Sequence, residues 1–339
     1  MAEANRRITL AARPKGFPKE SDFALEEVEI PSPEAGEVLV RALWVSLDPY
    51  QRGRMSEARS YATPLELGDV ITSQTLGEVV ESRDPRFEPG ELVLGQLGWQ
   101  EYAVARAGAL RSVPAALEPP SLALHVVGGT GLTAYFGLFD VGRPRPGDTV
   151  VVSAAAGAVG QVVGQLARLA GSRTVGIAGG PEKIGDLREL YSYDVAIDYK
   201  HDDVSAALRE AAPNGVDVYF DNVGGEVSQA VVGRLAVGAR IVVCGQISQY
   251  NLERPEPTFH PGALIVFRAR MEGFLVTDYA HRYADGVQRL ARWVADGSIR
   301  YREDVTEGLE HAPRAFIGLL NGENRGKALV KVAGRSSSS

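Results

Sequence analysis

The chain has 339 residues, 45% hydrophobic and 23% charged, with a formal net charge of -7. This composition reads as an ordinary globular protein and weighs against nucleic acid, because phosphate binding needs a basic surface and the basic residues here are scattered. A single cysteine, Cys244, excludes an internal disulfide and a cysteine-rich zinc site. No apolar run approaches the roughly 18 residues of a membrane span, and the N-terminal MAEANRRITLAARPKG has no apolar signal core. A cytoplasmic protein with neither a membrane nor a nucleic-acid partner is expected.

Residues 1–126 carry short β-type runs among many Pro and Gly, at Glu37–Val45, Leu76–Ser82, Glu91–Leu94 and Tyr102–Ala105. Long helical periodicity is absent, so a mostly β domain is expected there. The pattern changes at VVGGTGLTAYFGLF. From 127 to 298, apolar runs alternate with helix-period segments. The strands fall at Thr149–Ser153, Thr174–Ala178, Val195–Ile197, Val216–Asp221, Arg240–Cys244 and Met271–Val276. Six strands with helices between them predict an α/β fold with a doubly wound parallel sheet. A helix over Tyr279–Ala295 sets Val287, Leu290, Ala291 and Val294 on one face and stops at Gly297. Residues 299–333, ending in ALVKV, read as mixed structure that returns to the first domain. The stretch 334–339 is expected to be a disordered tail.

Residues 151–160 read VVSAAAGAVG. A buried strand ends here, and Val159, Val162, Val163, Leu166 and Leu169 then line one side of a helix that stops near Gly171. This strand–turn–helix setting is the one that the dinucleotide fingerprint G-x-G-x-x-G requires. Ala155 stands in its first place, with Gly157 and Gly160 in the other two. Gly157 lets backbone approach a pyrophosphate, and Gly160 lets the helix close on the strand. The helix N-terminus offers N–H groups to the phosphates. Alanine in the first place is tolerable if the turn stays at ordinary φ. The alternative is a small-residue helix–strand contact with no ligand.

The second strand bears on which nucleotide is bound. An NAD site has Asp or Glu at that strand's end for the ribose 2′-hydroxyl. Here the end reads AGGPEK, with glycine in the acidic slot and Lys183 within reach. An ammonium attracts a 2′-phosphate, which favours NADPH. The alternative is a surface lysine in a first helical turn.

The stretches LWVSLDPYQRGRM, LGWQEYAV, GGTGLTAYFGL, VVSAAAGAVGQVVGQLA, GIAGGPEK, DVYFDNVGGE, CGQISQYN, YREDVTEGLEHAP and AFIGLLNGENRGK span about residues 41–331. In combination they resemble the zinc-independent medium-chain dehydrogenases/reductases, in the branch of prostaglandin reductases, plant alkenal double-bond reductases and bacterial curcumin reductase. The resemblance implies a GroES-like, mostly β catalytic domain, a Rossmann domain, and a C-terminal return to the catalytic domain. It implies NADPH-dependent reduction of the carbon–carbon double bond of α,β-unsaturated aldehydes and ketones. It also implies cofactor contacts at Gly157, Ala158, Val159 and Gly160, and at Lys183 and Tyr199 beside the 2′-phosphate. Further implied contacts are Asn222, Cys244, Gly245, Gln246, Ile247, Ser248, Tyr250, the backbone of Phe274, Leu275 and Val276, and Asn324. Tyr50 in SLDPY and Tyr250 in ISQYN match tyrosines that flank the substrate pocket in relatives. A homodimer through the edge strand near Met271–Val276 is expected on the same ground. Two stretches depart from the family's pattern. Ser73-Gln74-Thr75 stands where relatives have a glycine-rich stretch, which bears on the floor of the active site. Tyr191-Ser192-Tyr193 replaces a leucine–glycine turn and is one residue longer, which bears on the placement of Tyr199.

Hydride added to the β-carbon of an enone leaves an enolate. A donor near the carbonyl oxygen lowers that barrier, and a proton must later reach the α-carbon. A tyrosine hydroxyl, with a pKa of about 10, is a donor at neutral pH. Tyr250 is the first candidate, acting directly, through water, or jointly with the cofactor ribose hydroxyl. Tyr50 is the second. A lid over the cofactor and a pocket wall are their respective alternatives. His125, His201, His260, His281 and His311 show no close pair at metal-ligand spacing and are expected on surfaces or loops, so no metal is expected. No Tyr-x-x-x-Lys and no G-x-S-x-G occurs, which disfavours the short-chain dehydrogenase and serine hydrolase mechanisms. The stretch Gly322–Ala328 is one residue short of a P-loop and lacks its Ser/Thr. Asp48 and Asp221 invite a general-base reading, but Asp221 at a strand end is expected to anchor a turn or a cofactor loop. The alternatives to an enone reductase are a quinone reductase of the same fold and an NADPH-binding sensor or structural protein without significant turnover.

Overall fold

The structure is a computed structural model that describes residues 4–58, 60–254, 256 and 261–335; His260 and the tail residues 336–339 lie outside them. Contacts divide the chain into two units, Met1–Leu124 with Glu303–Ser339, and His125–Arg302.

In the first unit, β1 (Ala4–Leu10) and β2 (Phe23–Glu29) pair as an antiparallel ribbon. A mixed sheet is built from β3 (Glu37–Ser46), β4 (Gln74–Ser82), β5 (Leu92–Gln96), β6 (Tyr102–Arg106) and β7 (Arg111–Ser112). Two late strands, Glu303–Glu307 and Lys327–Lys331, complete it, the latter antiparallel to β3. Alternate side chains of the strands face one core, where Val38 and Val40 meet Val79 and Val93. Leu43, Leu76, Leu94 and Leu329 form a second cluster. Trp99 is fully buried, stacked on Phe23 at 5.7 Å and edge-on to Phe316 at 5.6 Å.

The segment after β3 is tied down by polar groups. Lys327 is 0% exposed, and its Nζ donates to Leu47 O at 2.8 Å and to Asp48 Oδ1 at 2.6 Å. The other Asp48 oxygen accepts from Ser46 Oγ, and Asp48 N donates to Gln51 Oε1 at 2.9 Å. Buried Gln51 donates in turn to Ser46 O and Thr72 O, at 3.2 and 2.8 Å. These bonds fix the start of α1 (Tyr50–Arg54). Ser73 and Thr75 lie in the same buried region. Their hydroxyls donate to Ser46 O at 2.6 Å and Gly98 O at 3.2 Å, so backbone carbonyls satisfy both polar groups. At the chain's far end Gly334 O accepts from Arg41 at 2.9 Å, so the stretch expected to be disordered starts on an anchored residue.

The second unit holds a parallel sheet. Its strands are β8 (Thr149–Ser153), β9 (Arg173–Ala178), β10 (Val195–Asp198), β11 (Val216–Asp221), β12 (Leu235–Val243) and β13 (Arg270–Gly273). They lie in the order β10-β9-β8-β11-β12-β13. All five residues of β8 are buried, as expected of a strand covered on both faces. The helices are α2 (Gly129–Phe136), α3 (Gly160–Leu169), α4 (Pro181–Gly185), α5 (Val204–Ala211), α6 (Gly225–Val232), α7 (Gly262–Phe267) and α8 (Tyr283–Ala295). Strand order reverses between β8 and β11. A crevice for ligands forms at the carboxyl ends of strands at such a point.

Three sequence expectations shift. β12 starts at Leu235 and not at Arg240: Leu235 pairs with Val216, and a register shift then sets Arg240 against Val218. Cys244 falls beyond its end. β13 stops at Gly273, opposite Val243, so Phe274–Val276 lies outside the sheet. A 3-10 turn over Val276–Arg282 precedes α8, which starts at Tyr283 and not at Tyr279. The second unit also runs to Arg302, past the expected boundary at 298. Gln165 donates to Arg300 O at 2.7 Å and accepts from Arg300 N at 2.8 Å. Gln161, one helical turn earlier, accepts from Arg302 N at 2.9 Å. Two helix side chains thereby stand in for a strand edge. His125 opens this unit and is buried, edge-on to Tyr301 at 5.8 Å, which corrects the surface position expected for it.

Removing one partner of a buried ion pair strands the other charge. Lys327→Met is expected to lower the unfolding free energy by about 3 kcal/mol, and the double variant with Asp48→Asn by less than the two single losses together. Urea denaturation of the four proteins measures both.

Candidate functional site

β8 delivers the chain to the turn at 154–159. Ala155 stands where the fingerprint has its first glycine and is fully buried, while the left-handed residue is Ala154, at φ 47°. Alanine at 155 therefore costs the turn nothing. Gly160 is required by close approach: a Cβ there would stand 2.7 Å from Ala155 Cα. Gly157 N donates to Ala154 O at 2.9 Å. Gln161 N returns to Gly157 O, and Val162 N and Val163 N to Val159 O. Among the described residues no hydrogen-bond acceptor meets the amides of Ala158, Val159 and Gly160. These donors stand at the positive end of a ten-residue helix. The cradle fits a dinucleotide pyrophosphate.

At the end of β9 a Cβ on Gly179 would stand 2.7 Å from Tyr199 Cε1 and 3.0 Å from Lys200 Cε. Both side chains thus lie over this glycine. Gly180, at φ 93°, opens α4, which carries half-buried Lys183. The nearby Asp198 is engaged by the loop itself. It accepts from Gly180 N at 2.9 Å, Lys200 N at 3.1 Å and His201 Nδ1 at 2.8 Å. Burial alone would push its carboxyl up, but these bonds outweigh burial and hold it below its ordinary value. Glycines follow β9 where an acid would hold a ribose 2′-hydroxyl; Tyr199 and Lys200 lie over the first of them and Lys183 is on α4, a donor set that fits a 2′-phosphate.

At the end of β11, Asp221 is buried. Its Oδ1 accepts from Ser153 Oγ at 3.1 Å, and from Tyr219 Oη, Val223 N and Gly224 N at 2.9 Å each. Its Oδ2 accepts from Ser228 Oγ at 2.6 Å. The Asp221 carbonyl takes Cys244 N and Gly245 N, at 2.9 and 3.1 Å. Asn222 Nδ2 donates to Ser153 O at 2.7 Å. The next carbonyls continue the pattern, with Ile247 N on Asn222 O at 3.3 Å and Ser248 N on Val223 O at 3.1 Å. Tyr250 follows a 3-10 turn over Ile247–Gln249 and folds back, its Oη accepting from Gln246 N at 3.3 Å. Burial and then Asp221 push the Cys244 thiol up to about 12, so it stays protonated at neutral pH. Phe274 packs its ring over Gly137, where a Cβ would stand 2.5 Å from Cζ. Leu275 N donates to Asp278 Oδ2 at 3.4 Å, and the 3-10 turn begins at Val276.

The carboxyl ends of β8, β11 and β12 therefore bring together Gly157–Gly160, Asn222 and the segment 244–250. Lys183 and Tyr199 sit at the ends of β9 and β10. Sequence reasoning missed Lys200, and also Ser153, Tyr219 and Ser228 as the partners of Asp221. Lys200 was open to detection, since it follows Tyr199 at a strand end.

In the first unit, burial and then Asp48 raise the Tyr50 phenol above its ordinary pKa. Asn324 Nδ2 donates to Gly326 O at 2.7 Å. The P-loop-like stretch has its lysine, Lys327, committed to Asp48 and buried, away from any phosphate role. Among the described residues no group of three or more His, Cys, Asp or Glu is arranged to hold a metal. No helix among them is long and apolar enough to cross a membrane.

Residues 6–113 match a family described as the N-terminal domain of oxidoreductase, and residues 158–292 one described as zinc-binding dehydrogenase. The chain is 44% identical over 338 residues to the NADPH-dependent curcumin reductase of Escherichia coli (strain K12), covering 98% of each. It is 42% identical over 341 residues to the 2-alkenal reductase (NADP(+)-dependent) of Nicotiana tabacum, covering 98% of this chain and 99% of the relative. The crystal structure of CurA in complex with NADPH from Vibrio vulnificus is 45% identical with a TM-score of 0.93, covering 97% of this chain and 99% of that one. Likeness of this extent, over both units and their folds, decides the family: the chain belongs to the medium-chain dehydrogenases/reductases, in the branch of curcumin, prostaglandin and 2-alkenal reductases.

Proposed function

We propose that the protein reduces the carbon–carbon double bond of α,β-unsaturated ketones and aldehydes with NADPH, in the cytoplasm. One observation carries the reading: the second unit joins a turn of unspent amides under α3, a lysine-bearing rim around the glycines after β9, and a phenol on the segment after β12. The NADPH-dependent curcumin reductase and the 2-alkenal reductase among the relatives support the cofactor and the substrate class. The nicotinamide, when bound, supplies the hydride, and its ribose a hydroxyl.

The chain's own residues bind and manage charge. The amides of Ala158, Val159 and Gly160 take the pyrophosphate, and Lys183, Tyr199 and Lys200 take the 2′-phosphate. Asn222, the segment Cys244–Ser248, Phe274–Val276 and Asn324 complete the cofactor contacts in this reading. Tyr250 holds a proton at Oη and donates toward the enolate oxygen as charge develops there. Tyr50 is the second candidate donor, and its raised pKa keeps it protonated at working pH. Cys244, a protonated thiol, is no nucleophile. We also propose that a second copy of the chain covers β13. That strand is the sheet's outer edge, all four of its residues are exposed, and Ile265 and Val266 on α7 are exposed at 80% and 65%.

Oxidation of NADPH in the presence of enones, enals and quinones tests the function. Turnover of enones and enals is expected. Turnover of quinones alone, or tight NADPH binding with no turnover, refutes the reading. Lys183→Ala removes a charge-assisted hydrogen bond worth roughly 1.5–3 kcal/mol, so NADPH affinity is expected to fall about ten- to a hundredfold. NADH affinity should barely change; an equal loss for both nucleotides would make Lys183 a support of the loop. Tyr250→Phe is expected to slow single-turnover hydride transfer by about tenfold, less than the roughly 10²–10³ of a full oxyanion donor, with NADPH affinity held. An unchanged rate would leave Tyr250 as a pocket wall. Sedimentation velocity at micromolar concentration is expected to report a dimer, and monomer alone would count against the covered edge.

A further inference from the structure

The stretch Tyr191-Ser192-Tyr193 has no part in the site described above, yet its last ring reaches the nucleotide turn from behind. Tyr193 is 4% exposed. A Cβ on Gly164 would fall inside its ring, 2.5 Å from Cε2, and one on Gly176 would stand 3.0 Å from Cδ1. One glycine on α3 and one on β9 thus make room for a single phenol. Its hydroxyl donates to Gly160 O at 2.7 Å. Gly160 is the first residue of α3, and in an α-helix its carbonyl is also the acceptor for the amide four residues on. The phenol is therefore keyed into the helix's opening turn, behind the amides of Ala158, Val159 and Gly160. Burial holds its pKa well above the ordinary value, so it remains a donor throughout the physiological range.

The ring is held from several sides. Tyr193 N donates to Leu187 O at 2.8 Å, and Ser192 takes a left-handed turn at φ 55°. Ser192 O accepts from Arg168 at 2.9 Å, and Asp194 Oδ2 accepts from Thr174 N at 2.8 Å. The strap is thus anchored to the end of α3 and the start of β9.

We propose that Tyr193 is a positioning residue for the dinucleotide: by holding Gly160 O it sets the first turn of α3 and with it the aim of the amides that hold the pyrophosphate. This inference rests on the NADPH reading above. It makes the affinity for the nucleotide depend on a residue that never touches it.

The test is Tyr193→Phe, which keeps the ring and loses the hydrogen bond to Gly160 O. NADPH is titrated beside adenosine 2′-monophosphate, which carries the 2′-phosphate without a pyrophosphate. NADPH binding is expected to weaken about tenfold, as for loss of one net hydrogen bond. Binding of the monophosphate and kcat at saturating NADPH should stay within about twofold, well inside one lost hydrogen bond. Equal NADPH affinity in variant and unsubstituted protein overturns the proposal. So does equal weakening of both ligands, the mark of general loosening. Tyr193→Met, which keeps bulk without a hydroxyl, gives the same pattern if the Phe variant does not fold. If the unsubstituted protein binds no NADPH, the nucleotide reading falls and this proposal with it; a failure confined to the variant comparison overturns the proposal alone.

Discussion

A single buried acid, Asp221, orders the ligand-facing end of the parallel sheet. A buried carboxyl group needs hydrogen-bond partners to offset its lost hydration. Asp221 finds five, all neutral: two serine hydroxyls, a phenol and two backbone amides. They come from the end of β8, from β11 and the turn after it, and from α6. Its carbonyl then receives the first two amides of the segment after β12. Loops from three strands are thereby held as one body. Asn222 and the segment 244–250 are not placed independently, because both are set by bonds that begin at Asp221 and its neighbours. A shared network of this kind costs more to disturb than any one of its bonds.

The first unit holds a half-buried acid in another way. Asp48 meets a buried ammonium, Lys327, rather than a ring of neutral donors. Here the charge pair fastens the segment before Tyr50 to a strand far along the chain. The hydroxyls of Ser73 and Thr75 fill the space beside it and spend their hydrogen bonds on backbone carbonyls. Both hydroxyls therefore stand in a buried corner with a backbone carbonyl as partner.

The parallel sheet was legible because strands buried on both faces read as unbroken apolar runs, and β8 and β11 fall at their expected bounds. The nucleotide turn was legible from Gly157 and Gly160, whose roles are steric and local. What escaped was set by distant partners. The 3-10 turn over Val276–Arg282 carries no period that separates it from a helix start. β12 extends back to Leu235 only because a register shift lets it pair there. The boundary at Arg302 depends on Gln161 and Gln165, which read as ordinary helix residues until their amides meet the chain. Ala155 drew attention as a misplaced residue, but the strain sits at Ala154, one position earlier. His125, expected near a surface, is enclosed with Tyr301. Side-chain pairing across more than a hundred residues leaves no local trace in composition or spacing.

The discontinuity of the first unit bears on the order in which the chain is finished during synthesis. The second unit is one continuous stretch, so its sheet needs no strand from beyond Arg302. The sheet of the first unit begins earlier but needs Lys327–Lys331 against β3, and the ion pair that seals it joins residues 279 positions apart. Closing so long a span carries an entropic cost that nearby pairings do not. Part of β3 waits with an open edge while the nucleotide half leaves the ribosome whole. The half made first is completed last, and the arrival of Lys327 beside Asp48 closes it.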